Sequence, residues 1–81
     1  MVQAEDIRQL IFQGDYRLTV HARKRMAERN ISHRDIQKCA ELGMISERSD
    51  GCYILIGKDI DDQTLKVICA YENDVLIITV F

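Results

Sequence analysis

Eighty-one residues, 47% hydrophobic and 30% charged, make one small globular domain and exclude a disordered tail. The longest apolar stretch, Val75 to Phe81, is broken only by Thr79 and is far too short for a membrane span, and the opening Met-Val-Gln-Ala-Glu-Asp lacks the basic-then-apolar order of a secretory leader, so a cytoplasmic chain with no membrane association is expected. The net charge of −2 argues against general nucleic-acid affinity, yet residues 17–38 hold seven basic and only two acidic side chains while the rest holds four basic and eleven acidic, a basic island that points to an anionic partner at one face.

The first element is a short helix over residues 4–13, where Ile7, Leu10 and Ile11 form one apolar stripe and Gly14 follows as a C-terminal cap. Tyr16 to Thr19 form a brief extended link, and the Thr19 hydroxyl suits the N-cap of a second helix, about Val20 to Arg29. In that helix His21, Arg25, Glu28 and Arg29 fall within one arc of about 100°. Ala22 and Met26 face the core, and Asn30, which tolerates the left-handed conformation, ends the helix. A third helix starts at Ser32, whose Ser-x-x-Asp spacing with Asp35 is a weaker form of the capping box. It buries Ile36, Cys39 and Ala40, and Gly43 closes it.

From Met44 the pattern turns to strands: Met44–Glu47 at an edge, then Cys52–Gly57, Thr64–Tyr71 and Val75–Phe81, with an acidic loop at 58–63 and a tight turn at Asn73. Short connections make neighbouring strands antiparallel. The expected fold is a single α+β domain, two to three N-terminal helices packed on one face of a three- to four-stranded antiparallel sheet. Ile54, Leu55 and Ile56 are all apolar, so either both faces of the sheet are covered or one face takes a partner, a second copy among the alternatives. The three cysteines, 39, 52 and 69, are odd in number and form no Cys-x-x-Cys pair. Reduced thiols are expected, with no disulfide, structural zinc or other cofactor.

The segment from Thr19 to Ile31 reads T-x-H-A-x-x-R-M-x-x-R-x-I. It resembles a widespread bacterial domain-of-unknown-function family, over nearly the whole chain. A more distant similarity is to the MqsR toxin, a relative of RelE. It shows in the first helix and its glycine through Thr19, and in Leu65-Lys66-Val67 and Asp74-Val75-Leu76-Ile77 of the last two strands. That resemblance implies helices on an antiparallel sheet, messenger-RNA cleavage without a metal, and neutralisation by an antitoxin, often one with a zinc-binding domain. The second helix departs from MqsR and carries the signature of the family of unknown function instead.

Metal-free RNA cleavage needs a base for the ribose 2′-hydroxyl, cations for the charge growing on phosphate, and an acid for the leaving 5′-oxygen. On the shared arc, His21 suits the proton transfer, and Arg25 and Arg29 suit the phosphate, whose oxygens their planar forks match. Tyr71, at a strand end, is a further catalytic candidate, able to stack on a base or donate its phenolic proton. Arg17, Lys24, Lys66 and Thr79 are candidate RNA contacts, and Tyr53 and His33 are weaker candidates. The competing reading makes the His/Arg face scaffold, with Arg25 and Arg29 paired to Glu28, Asp35 or loop acids. The protein is then a non-catalytic binding or dimerising module on the same fold.

Overall fold

The computed structural model describes residues 2–81. α1 (Ala4–Phe12) buries Ile7 and Ile11. Gly14 follows it at φ 82°, and the Gly14 and Asp15 N–H groups donate back to the Ile11 and Leu10 carbonyls at 3.0 and 2.9 Å. These are the two bonds of a Schellman motif, which a Cβ at a left-handed position would disfavour. β1 (Arg17–Leu18) leads into α2 (Val20–Arg29). The Thr19 hydroxyl accepts from the Ala22 N–H at 3.0 Å and donates to the Ile78 carbonyl at 2.7 Å. One side chain therefore starts the helix and fixes it to the sheet. Asn30, at φ 56°, ends α2, and its N–H and that of Ile31 return to the Ala27 and Met26 carbonyls.

α3 (His33–Leu42) begins with the expected capping box: Ser32 Oγ accepts from the Asp35 N–H, and Asp35 Oδ2 accepts from the Ser32 N–H at 2.8 Å. Asp35 is 6% exposed, and its other oxygen accepts from the Ile60 N–H at 3.1 Å, which ties the acidic loop to the helix start. Gly43 ends α3 in extended rather than left-handed backbone. Its role is close approach, because a Cβ there would lie 2.2 Å from the Cys39 carbonyl oxygen. Gly57 on the sheet does the same from below, at 2.4 Å from that oxygen, so α3 rests directly on strand backbone.

The strands are β2 (Met44–Glu47), β3 (Tyr53–Lys58), β4 (Thr64–Glu72) and β5 (Asp74–Val80), in the order β1-β5-β4-β3-β2. The sheet is mixed and five-stranded, because the extended link at Arg17–Leu18 pairs in parallel with Leu76–Ile77. Two residues are too few to show alternation, and their partner lies far along the chain, so the sequence pattern does not mark them as a strand. All other pairs are antiparallel. Ile68 faces Thr79 while Cys69 faces Ile77, which leaves Ile78 as the extra residue of a bulge. The carbonyl of this bulged residue is the one that receives the Thr19 hydroxyl.

The helices cover one face only. Under them lie Leu55, Leu65, Val67, Cys69, Val75, Ile77 and Val80, packed with Ile7, Ile11, Ala22, Met26, Ile36, Cys39 and Ala40. The register rows Met44–Ile56–Lys66 and Ser46–Ile54–Ile68–Thr79 form the opposite, uncovered face, where Met44 is 80% and Ile56 42% exposed. This explains the poor alternation in β3.

Candidate functional site

Helix α2 presents two flanks, because Ala22 and Met26 take the core side and 100° per residue spreads the other positions around it. On one flank, His21, Arg25 and Arg29 follow one another up the helix, with Lys24 on the outward side. His21, Lys24 and Arg29 are exposed and Arg25 is half-buried. The ion pairs among the described residues are Arg8–Glu5, Arg17–Asp74, Lys38–Glu41 and Arg48–Asp50. None takes in Arg23, Lys24, Arg25 or Arg29. Asp35, a potential internal partner for these arginines, instead caps α3. The Arg25 Nε is shut off from solvent and has no hydrogen-bond partner among the described residues. Arg29 borders a cleft of about 270 Å³ with Ile31, Asp59, Gln63, Thr64, Leu65 and Phe81.

The remaining expected residues are dispersed. Lys66 pairs with Phe81 at the far end of β5 and holds its Nζ 5.6 Å from the centre of that ring. Phe81 also lines the Arg29 cleft, so Lys66 lies at its border. Thr79 sits on the uncovered sheet face, opposite Ile68. Arg17 grips Asp74 with two bonds, of 2.7 and 3.0 Å. This pairing raises the Arg17 pKa and lowers that of Asp74. Tyr71 faces Val75 at the hairpin end and packs against the core, as does Tyr53 opposite Cys69. From Val75 to the Phe81 end of β5 is roughly 20 Å at strand rise, so Tyr71 and Arg29 do not share a site.

The other flank of α2 holds a group that the sequence pattern does not assemble. A cleft of about 580 Å³ is lined by Tyr16, Arg17, Leu18, Arg23, Met26 and His33. The Tyr16 hydroxyl and His33 Nδ1 are 2.7 Å apart, and the rings stack with centroids 5.7 Å apart. Burial pushes the Tyr16 phenol pKa up. Tyr16 and His33 are seventeen residues apart, one in the link before β1 and the other at the first position of α3, and no spacing rule joins them; the signal in the sequence is the placement of a histidine in the first turn of α3.

Burial pushes the Cys39 and Cys69 thiols up to about 12, and Cys39 Sγ donates to the Leu65 carbonyl at 3.4 Å. Among the described residues no group of three His, Cys, Asp or Glu side chains is placed to hold a metal ion, and no helix is long and apolar enough to cross a membrane. The sequence model of a family described as "Domain of unknown function (DUF4258)" matches residues 18–81, which take in α2, α3 and the strands β2 to β5. No curated protein and no solved structure matches the chain.

Proposed function

The chain belongs to the DUF4258 family of domains of unknown function, and from that premise we propose that it is a toxin-like RNA-binding protein whose α2 receives the phosphate backbone and cuts it without a metal. One observation carries the reading. With thirteen acidic side chains in the molecule, Lys24, Arg25 and Arg29 stand on one helix with no carboxylate partner among the described residues. Like charges this close on a helix repel, at a cost of a few tenths of a kcal/mol per pair. An anionic ligand removes that cost.

On this reading His21 takes the proton from a ribose 2′-hydroxyl, and the 2′-oxygen attacks the adjacent phosphorus. Arg25 and Arg29 hold the non-bridging oxygens as their charge grows. The bond to the 5′-oxygen breaks, that oxygen takes a proton from water, and a 2′,3′-cyclic phosphate remains. The resemblance to MqsR and RelE at the two chain ends supports the toxin class. It brings with it a neutralising antitoxin, for which the uncovered sheet face with Met44 and Ile56 is the apolar surface on offer. A second reading, binding without cleavage, is favoured by the His21 ring, which no hydrogen bond orients among the described residues, whereas a working base is held by a third group.

The two readings separate in one experiment. End-labelled single-stranded RNA is incubated with the protein in EDTA, and the products are mapped. Cleavage to cyclic phosphate ends, lost in His21→Ala and Arg25→Ala, supports the nuclease. Salt-sensitive retention of RNA without cleavage supports the binding module. Equal cleavage by all three proteins removes the ridge from the chemistry, and no retention at any salt removes RNA.

A further inference from the structure

We propose that the cleft between Tyr16, Arg17, Arg23 and His33 is a separate binding site for a nucleotide, with its phosphate against Arg23 and its base or sugar on Met26 and Leu18. The cleft lies on the flank of α2 away from His21 and Arg29, so it does not depend on the ridge or on cleavage.

Three features select the ligand. The first is the sign of the lining. Its charged members are guanidinium groups, and no carboxylate lines the cleft itself. The charge of Arg17 is offset by its bidentate hold on Asp74, whereas Arg23 has no ion-pair partner among the described residues. Arg23 is therefore the group left to meet an anion, and its fork matches two oxygens of one phosphate.

The second is the histidine. The Tyr16 hydroxyl and His33 Nδ1 share a hydrogen bond of 2.7 Å, which occupies Nδ1 and leaves Nε2 as the free ring nitrogen. A neutral imidazole that accepts at Nδ1 carries its own proton on Nε2. In that tautomer His33 offers the cleft a second donor, at Nε2. Together with Arg23 it gives the cleft two donors of the kind an anion requires.

The third is the floor. Leu18 is half-buried and Met26 buried. A flexible thioether beside a ring system suits a flat apolar body. The volume of about 580 Å³ falls within the range of small-ligand sites. A bare phosphate would leave this floor uncovered, and a nucleotide would not.

The nucleotide is either a free molecule or one unit of an RNA strand, and the test distinguishes the two. The full chain, labelled at histidine and tyrosine rings, is titrated with adenosine 5′-monophosphate, with inorganic phosphate and with a short single-stranded RNA while the ring resonances are followed. The nucleotide should shift His33 and Tyr16 and leave His21 in place. Arg23→Ala should weaken binding at least tenfold, and Arg23→Lys should recover part of it through charge alone. Tyr16→Phe keeps the ring but should move the His33 nitrogen shifts toward a mixture of tautomers. RNA that produces the same shifts more tightly identifies the strand as the source, and nucleotide binding that RNA does not displace identifies the free molecule. Absence of His33 shifts at millimolar nucleotide, equal binding by Arg23→Ala, or equal affinity for bare phosphate would overturn the proposal. None of these readouts involves cleavage, so a nuclease test that fails leaves this one intact.

Discussion

Replacing Arg25 and Arg29 together by alanine tests the phosphate-binding ridge most directly. Both side chains stand without carboxylate partners among the described residues, so the double variant removes two cations and breaks none of the ion pairs described. Its cost to the fold is small, since Arg29 is exposed and Arg25 already holds an unpartnered Nε. If Arg25 and Arg29 share the scissile phosphate of a single strand and Lys24 neutralises a second, the logarithm of the binding constant falls with the logarithm of salt at a slope of about −1.4. Between about 50 and about 200 mM salt, the intact protein then loses roughly 7-fold in affinity, whereas the variant with Lys24 alone loses about 3-fold. Fluorescence anisotropy of a labelled oligouridine across that range reads both slopes, and far-ultraviolet circular dichroism checks the fold. An intact protein with no salt dependence, or a double variant with the parental slope, would refute the assignment of these cations to phosphate.

Other expectations concern the scaffold that holds the helix in place. Asp35→Ala removes two bonds from Ser32 and one from Ile60 to a buried carboxylate, and should lower stability by about 2–4 kcal/mol in urea denaturation; a loss under about 0.5 kcal/mol would show that the anchor is idle. Burial pushes the Asp35 pKa up, but the Ser32 and Ile60 donors outweigh it and hold the carboxyl below its ordinary value. Its contribution is therefore complete above the unfolded pKa of about 4 and fades as pH falls through the lower folded value, so the gap between parent and Asp35→Ala should narrow in acid. Gly57→Ala drives a methyl group into the Cys39 carbonyl, 2.4 Å from where its Cβ must lie; it should cost about 1–3 kcal/mol, and a melting temperature equal to the parent would refute the close approach. A thiol reagent at mild pH should label Cys52 in the folded protein, while Cys39 and Cys69, buried and pushed up to about 12, should react only after denaturant is added. Fast labelling of all three in the native state would contradict that burial.

What is local in this molecule is legible in its sequence. The caps at Thr19, Asn30 and Ser32 with Asp35 depend on residues within three or four positions of one another, and each lies where those residue types predict. The arc of His21, Arg25 and Arg29 follows from helical period alone. What depends on distant partners is not legible. β1 is a strand only because Leu76 and Ile77 accept it. Gly57 reads as a strand glycine until Cys39 is seen above it. The sequence gives no reason to separate Tyr71 from the ridge, because strand parity and the length of β5 decide which end and which face it occupies. The Tyr16–His33 pair exists only once α1, β1 and α3 are assembled around α2.

The bulge at Ile78 has a consequence for biosynthesis. Its carbonyl anchors the start of α2, and β5 is the strand that β1 pairs with, so the basic helix lacks its anchor until β5 is made. While the ribosome is still extending the chain, α1, α3 and the β2–β4 meander can gather, but α2 hangs loose. Topologies that wait for such end-to-end closure fold slowly and expose apolar surface meanwhile. The cationic flank therefore takes its final shape only once β5 has emerged and paired with β1.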